Sequence, residues 1–500
     1  MFNKLNRTHV ILLLAAFPLV QLLFLWNVLP LPPVGQHVWR QVTGLAFARN
    51  YAFEHAPFFL PRQDIRVGLA DNGIVYHEFP LIYWIVGKLY QIFGFHFEIG
   101  RALAFCVNII GVPGSYVLAR QLDYSKRRSL AFALFYCFSP LFFYYTTTLL
   151  PDLTALNFFI CGVALVLYAN RESMKTLAYF AGVLLIALAV LTKPSWALYG
   201  LPLLAVFFRK FWTAKRLPSF KELIHPALAG VIILGLFLWQ YLYSRDLLAA
   251  SPLERAIHAQ LKVAERPQGW NDLWRNLSAG IGNWFMEINV GWGAILLFLT
   301  GAWTALRTGM NGTFSRLFWS LYLLSFCIYG YFFVMRFGDH DYYLTASLPL
   351  AAALSSRGFE VWFTRNRLWK TLALILALLY PLASYMRIEG RWFGSRQVPR
   401  ALLEEAQGFE QVIPAEDRVL VVGDKTPLTY LYYINRKGIT YLSVLDSSFP
   451  ETLEKGDFRW LLIDKKYVAT PPVQVLQKFT LVPVKQIDTL ELYKLEPVGQ

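Results

Sequence analysis

The feature that most constrains this chain is a series of apolar blocks close to 20 residues long, joined by short basic loops. About 20 residues of helix cross the roughly 30 Å hydrocarbon core of a bilayer, and a soluble core would interrupt such blocks with turns and polar faces. Charged residues are only 16% of the chain, against about 25% in soluble domains. The blocks start at about 10–29 and recur near 98–120, 128–148, 153–169, 176–192, 195–209, 222–243, 291–306, 316–335, 342–356 and 369–386. The expected fold class is an α-helical polytopic membrane protein with about eleven transmembrane helices.

Lys4 and Arg7 precede the first block, which is too long for a signal peptide and lacks a small-residue cleavage site. It reads as a retained helix with a cytoplasmic N-terminus. Even-numbered spans should then end in basic inner loops, and each does. The loops are Lys126-Arg127-Arg128, Arg171 with Lys175, Arg209-Lys210 with Lys215-Arg216, Arg307 with Arg316, and Arg357 with Arg365 and Arg367. This agreement requires that 79–94 (FPLIYWIVGKLYQIFG), short and interrupted by Lys88, lies along the interface and does not span. Residues 30–97 are then one external loop with a second amphipathic stretch near 38–55, and 244–290 is another external loop. The net charge of +15 is accounted for by topology, with no basic face on a soluble domain to meet nucleic acid. Cys106, Cys137, Cys161 and Cys327 all fall within apolar segments without CxxC spacing, so they read as core hydrophobes.

Two domains are expected, a transmembrane region over 1–386 and a soluble one over 387–500 on the non-cytoplasmic side. In the second, VLVVGD (419–424), ITYL and RWLLID (459–464) read as strands, TPLTYLYYINRKG contains a helix, and FTLVPV with TLELYKL forms a hairpin. Alternating strands and helices imply a small α/β domain. The VLVVGD turn lacks a glycine-rich fingerprint, which favours scaffold or acceptor recognition over nucleotide binding.

Polar side chains at membrane boundaries are costly and mark function. Those outside the inner loops all map to one face. They are Gln36-His37-Val38-Trp39-Arg40-Gln41, Pro61-Arg62-Gln63-Asp64-Ile65-Arg66, His77-Glu78-Phe79-Pro80, Leu150-Pro151-Asp152, Thr192-Lys193-Pro194, and Arg336 through Tyr343. A mixed set of acids, cations, histidine and aromatics there suits an amphiphilic, phosphate-bearing substrate whose tail stays in lipid. Group transfer from a lipid phosphate needs cations for the departing phosphate, often with a metal. It also needs a carboxylate to take the acceptor's proton.

At this point the pattern resembles the C-type glycosyltransferase fold, specifically the protein O-mannosyltransferase and aminoarabinose transferase superfamily, over roughly residues 10–390. The resemblance rests on the long first loop, HEFPLIYWIVGKLYQIFG with Arg101 beyond it, PDLTALNFF (151–159), LTKPSWAL (191–198) and HDYYLTASLPLAAAL (340–354). It implies a hexosyl or pentosyl transferase of the plasma membrane, the inner membrane in bacteria. The implied donor is a polyprenyl-phosphate sugar, and a lipid, glycan or protein hydroxyl accepts. Where the family carries an acid after the first span, this chain reads Gly35-Gln36-His37-Val38-Trp39-Arg40-Gln41-Val42-Thr43. A divalent metal is possible, but the missing acid removes the usual ground for expecting one.

Asp64 and Glu78 are the surviving acids by the interfacial helix, one of them replacing the missing base, with a solvated loop acid and an interfacial helix cap as the respective alternatives. Asp152 is a third catalytic candidate, or a cap of its helix. His37 and Arg40, spaced i and i+3, and Gln41 are candidates for substrate binding, Arg40 through the donor phosphate or else in a plain salt bridge. Lys193 and Arg336 sit at outer span ends against the positive-inside bias, as phosphate clamps or as snorkelling side chains. His340, Tyr342 and Tyr343 are candidates for substrate contact, with belt aromatics as the alternative for the tyrosines. The other function class open to such a chain is a transporter or flippase of an amphiphile, which predicts internal repeats and mid-bilayer charges. No convincing repeat is visible.

Overall fold

The computed structural model describes residues 7–66, 71–76, 78–171, 175–251, 269–310, 312–393, 398–426, 428–441, 453 and 456–498. The chain divides into two compact units. One comprises 1–30, 101–242 and 264–392, the other 31–100, 243–263 and 393–500.

In the first unit every apolar block is helical, but several are broken. Arg7–Leu25, Pro151–Arg171, Thr176–Thr192, Thr313–Phe333 and Arg367–Ile388 are continuous. The block at 128–148 splits into Lys126–Cys137 and Pro140–Tyr145 because Ser139 caps the second helix, accepting from the Phe142 N–H, with Pro140 at its first position. The blocks at 195–209 and 342–356 each begin as a 3₁₀ segment, Pro194–Tyr199 and Asp341–Ser347. That at 291–306 joins Trp284–Val290 to Trp292–Thr308 through a 78° bend, where Gly291 has φ 70°. Among the described residues, 6 helices are long and apolar enough to span a membrane, or 7 with the bent pair. The chain is thus a multi-pass membrane protein, but the expected eleven spans do not appear as eleven unbroken helices.

Two glycine pairs set the closest packing. A Cβ on Gly162 would lie 2.7 Å from the Gly182 carbonyl oxygen, and one on Gly182 would meet Gly162 at the same distance. Between Ile295–Thr308 and Leu348–Thr364, a Cβ on Gly301 would come within 1.8 Å of the Leu354 oxygen, and one on Gly358 within 1.8 Å of that of Leu297. Small residues let backbones approach where lipid supplies no hydrophobic drive between helices.

The second unit holds the two helices expected in the first loop, Val38–Phe53 and Leu81–Phe93. It also holds a 5-stranded sheet of order β2-β1-β3-β5-β4. The strands are β1 (Arg418–Val422), β2 (Lys437–Tyr441), β3 (Phe458–Asp464), β4 (Phe479–Ile487) and β5 (Leu490–Pro497). β1 pairs parallel with β2 and β3, and β4 and β5 form the expected antiparallel hairpin. The buried strands β1 and β3 carry the apolar runs VLVV and WLLI, as strands covered on both faces do. The first loop supplies one more partner. Ile65 bridges Gly438 in parallel, the Arg66 N–H donating to the Gly438 oxygen at 2.7 Å and the Gly438 N–H to the Asp64 oxygen at 3.1 Å. This contact covers part of the β2 edge, which would otherwise be open to pairing with another chain. Of the region read as a second external loop, the helix Phe220–Ala250 extends into its start and Trp270–Ser278 lies near its end. Residues 252–268, including Glu254 and His258, lie outside the described residues.

Candidate active site

In the first unit the sequence-predicted residues Asp152, Lys193, His340, Tyr342 and Tyr343 converge. Asp152 occupies the first turn of Pro151–Arg171, where an acid complements the helix dipole. Lys193 closes Thr176–Thr192 in an extended conformation (φ −144°, ψ 99°), because Pro194 disfavours a helical residue before it. That extension brings the Lys193 ammonium 3.0 Å from Asp152 Oδ1. The other oxygen, Asp152 Oδ2, is buried and has no hydrogen-bond partner among the described residues.

Lys193 Nζ also lies 5.0 Å from the ring centre of Tyr343 and 5.8 Å from that of Tyr342, within cation–π range. The two tyrosine rings stack at 5.2 Å, and His340 meets the Tyr342 ring edge-on at 5.4 Å. The 3₁₀ winding of Asp341–Ser347 sets this grouping, since an eclipsed 3.0-residue turn spreads successive side chains differently from an α-helix. Arg336 stands one turn earlier, its carbonyl accepting from the His340 N–H at 2.8 Å.

Tyr145 is a residue that the linear pattern did not single out. Its hydroxyl donates to the fully buried Asp341 carboxylate at 2.5 Å, and its ring packs edge-on against Tyr342. Tyr329 and Phe333 support Tyr343 from the other side, at 6.4 and 5.4 Å. Tyr145 and Asp341 are 196 positions apart, and no local signal links them.

In the second unit Arg40 and Glu78 form a buried pair. The Arg40 guanidinium donates to Glu78 Oε1 and Oε2 at 2.9 and 2.8 Å, and the Tyr83 hydroxyl donates to Oε1 at 2.6 Å. His37 begins the helix in the left-handed region at φ 53°. The Gln41 amide donates to the carbonyls of Val34 and Gln36, so Gln41 fastens the turn that carries His37.

Asp64 lies in different surroundings from Glu78. It is fully buried, 2.6 Å from the Arg49 guanidinium and 2.5 Å from Lys437 Nζ. The Asn50 amide donates to it as well. Burial alone would raise its carboxyl, but Arg49 and then Lys437 outweigh that and hold it below the usual carboxylate range. No part of this carboxylate faces solvent, unlike the solvated loop acid that is the alternative reading of its position.

Among the described residues no three His, Cys, Asp or Glu side chains gather to hold a metal ion.

Residues 77–241 match the family model described as dolichyl-phosphate-mannose-protein mannosyltransferase. No curated protein sequence matches the chain. Among solved structures, ArnT from Cupriavidus metallidurans bound to undecaprenyl phosphate is similar with a TM-score of 0.67 at 14% identity, covering 98% of both chains. The Archaeoglobus fulgidus oligosaccharyltransferase in apo form is similar with a TM-score of 0.58 at 12% identity, over 92% of this chain and 70% of that one. The archaeal oligosaccharyltransferase AglB from the same organism, in complex with an inhibitory peptide and a dolichol-phosphate, is similar with a TM-score of 0.58 at 12% identity. It covers 98% of this chain and 75% of that one.

Proposed function

This chain has the C-type glycosyltransferase fold, and from that premise we propose that it transfers a sugar from a polyprenyl-phosphate donor to an acceptor hydroxyl at the outer membrane face. The observation that carries the reading is the Asp152–Lys193 pair beneath Tyr342 and Tyr343. One carboxylate oxygen is held by the ammonium while the other is buried without a hydrogen-bond partner among the described residues. Asp152 is the general base in this proposal. It accepts the acceptor hydroxyl's proton as that oxygen bonds to the anomeric carbon.

The bond from the anomeric carbon to the phosphate oxygen breaks in the same step, and the electron pair leaves on the lipid phosphate. Lys193, Arg336 and His340 offset the charge that develops there. A single displacement of this kind inverts the anomeric configuration. Tyr342 and Tyr343 offer ring faces and hydroxyls to the sugar. His37, Arg40 and Glu78 form a second substrate-binding group in the first loop, with Tyr83 holding Glu78. Asp64 is assigned to the fold and not to the reaction, because its lone pairs are committed to Arg49, Asn50 and Lys437.

What ArnT and AglB bind supports a polyprenyl-phosphate or dolichyl-phosphate donor for this chain too. The test is transfer or hydrolysis of a radiolabelled polyprenyl-phosphate sugar in proteoliposomes. Asp152→Asn lowers turnover by about 10²–10⁴-fold, while Asp64→Asn protein, where it folds, retains it. Turnover undiminished in Asp152→Asn would overturn the assignment.

A further inference from the structure

A polar cavity of about 310 Å³ opens in the soluble domain, at the carboxyl ends of the parallel strands β1 and β3. Ligands of open α/β sheets bind in that position, because successive loops diverge there and leave a crevice. Asp424 follows β1, Asp464 ends β3, and Asp488 with Thr489 comes from the β4–β5 turn. Arg400, Lys466 and Tyr467 complete the wall.

The two inner carboxylates are rigidly held. Asp424 Oδ1 accepts from the Thr426 N–H and hydroxyl, both at 2.8 Å, and Oδ2 accepts from the Tyr430 N–H at 3.1 Å. Asp464 accepts from the Tyr430 hydroxyl at 2.6 Å and from the Lys466 N–H at 3.0 Å. Burial pushes the Asp424 carboxyl up to about 7, against the hydrogen bonds that lower it, so near neutral pH it serves as donor or acceptor. Tyr467 is 38% exposed, with Lys425 Nζ 4.4 Å and Lys466 Nζ 5.5 Å from its ring centre.

Three acids and three bases line this space, Asp424, Asp464 and Asp488 against Arg400, Lys425 and Lys466. A phosphate site would carry an excess of cations, and a divalent-cation site an excess of carboxylates. A neutral polyol instead needs both donors and acceptors, and a pyranose also presents an apolar C–H face to an aromatic ring. We infer that this cavity binds a pyranose unit, a carbohydrate site separate from the Asp152–Lys193 cluster. Sugar binding here needs no chemistry and stands or falls independently of the transferase reading.

The test uses the full chain in lipid nanodiscs, which avoids sugar-headed detergents, and saturation-transfer NMR with glucose, galactose and N-acetylglucosamine as probes. Transfer to ring protons is expected for at least one probe. It falls at least fivefold in Tyr467→Ala and in Asp488→Asn, and it persists in Asp152→Asn. No transfer with any probe would overturn the inference. So would transfer that survives in Tyr467→Ala and Asp488→Asn but disappears in Asp152→Asn. ³¹P line broadening of inorganic phosphate that depends on Lys466, without any sugar signal, would also overturn it.

Discussion

Lys437 Nζ lies 2.5 Å from Asp64 Oδ1, joining the start of β2 to a loop residue 373 positions earlier. Arg49, from the helix Val38–Phe53, holds the other carboxylate oxygen and also donates to the Tyr432 carbonyl at 2.8 Å. The Tyr433 hydroxyl donates to the Pro33 carbonyl. First loop and sheet domain therefore fold as one unit, with a buried ionic centre. Removing one member of such a centre leaves the others buried and uncompensated, at a cost of about 3–5 kcal/mol. Asp64→Asn is expected to lower the unfolding midpoint markedly, and this is measured by intrinsic fluorescence across a temperature ramp. An unchanged midpoint would contradict the role given to Asp64.

Asp64 also gives an acid limb to stability. Its native carboxyl titrates below the usual range of an unfolded chain, so the unfolded state binds the proton first as pH falls. The stabilisation is complete above about pH 4–5 and is lost on acidification through the native value. Exchange protection of peptides around 49–66, taken relative to the intrinsic rate at each pH, should fall below about pH 4 in the wild type, with a weaker pH response in Asp64→Asn.

Asp424 acts in the opposite direction. Its carboxyl is raised to about 7 in the native domain by burial, so between about pH 4 and 7 the native state holds a proton that the unfolded state has released. Stability of the sheet domain from this group therefore declines as pH rises through that window. Asp424→Asn should flatten the decline, read as exchange protection of residues 418–441 against pH.

For the transferase reading, loss of a general base costs about 10²–10⁴ in rate. Asp152→Asn should show that loss in turnover while still binding the donor lipid. Lys193→Ala should instead weaken donor binding by about 10–100-fold, the value of one charge-assisted hydrogen bond, with partial recovery in Lys193→Arg. A filter-binding assay with labelled polyprenyl phosphate separates the two variants, and equal effects in both would argue against distinct roles.

Gly301→Ala places a methyl group 1.8 Å from the Leu354 carbonyl oxygen. The backbones must separate, and overpacking of this kind costs about 1–3 kcal/mol. Gly230→Ala, on a helix where nothing lies within 4 Å of the added carbon, is the matched control. The Gly301 variant should unfold at lower temperature than the Gly230 variant in the same detergent.

Hydrophobic block length, loop charge and strand composition are local properties, and they determined a great deal. They placed the helices, including the short one over Leu81–Phe93, and outlined the small α/β domain whose strands lie where the sequence pattern put them. The same local reading singled out Asp152, Lys193, His340, Tyr342 and Tyr343, because polar groups at span ends are costly enough to stand out. What it did not contain were partners distant in sequence. Glu78 and Asp64 look alike as loop acids, yet one is paired with Arg40 and Tyr83 while the other is enclosed by Arg49 and Lys437. Tyr145 became part of the site only through Asp341. The breaks at Ser139–Pro140 and Gly291 turned long apolar runs into shorter, bent helices. Such outcomes depend on tertiary packing, because a buried charge takes its role from whichever opposite charge the folded chain brings within about 4 Å.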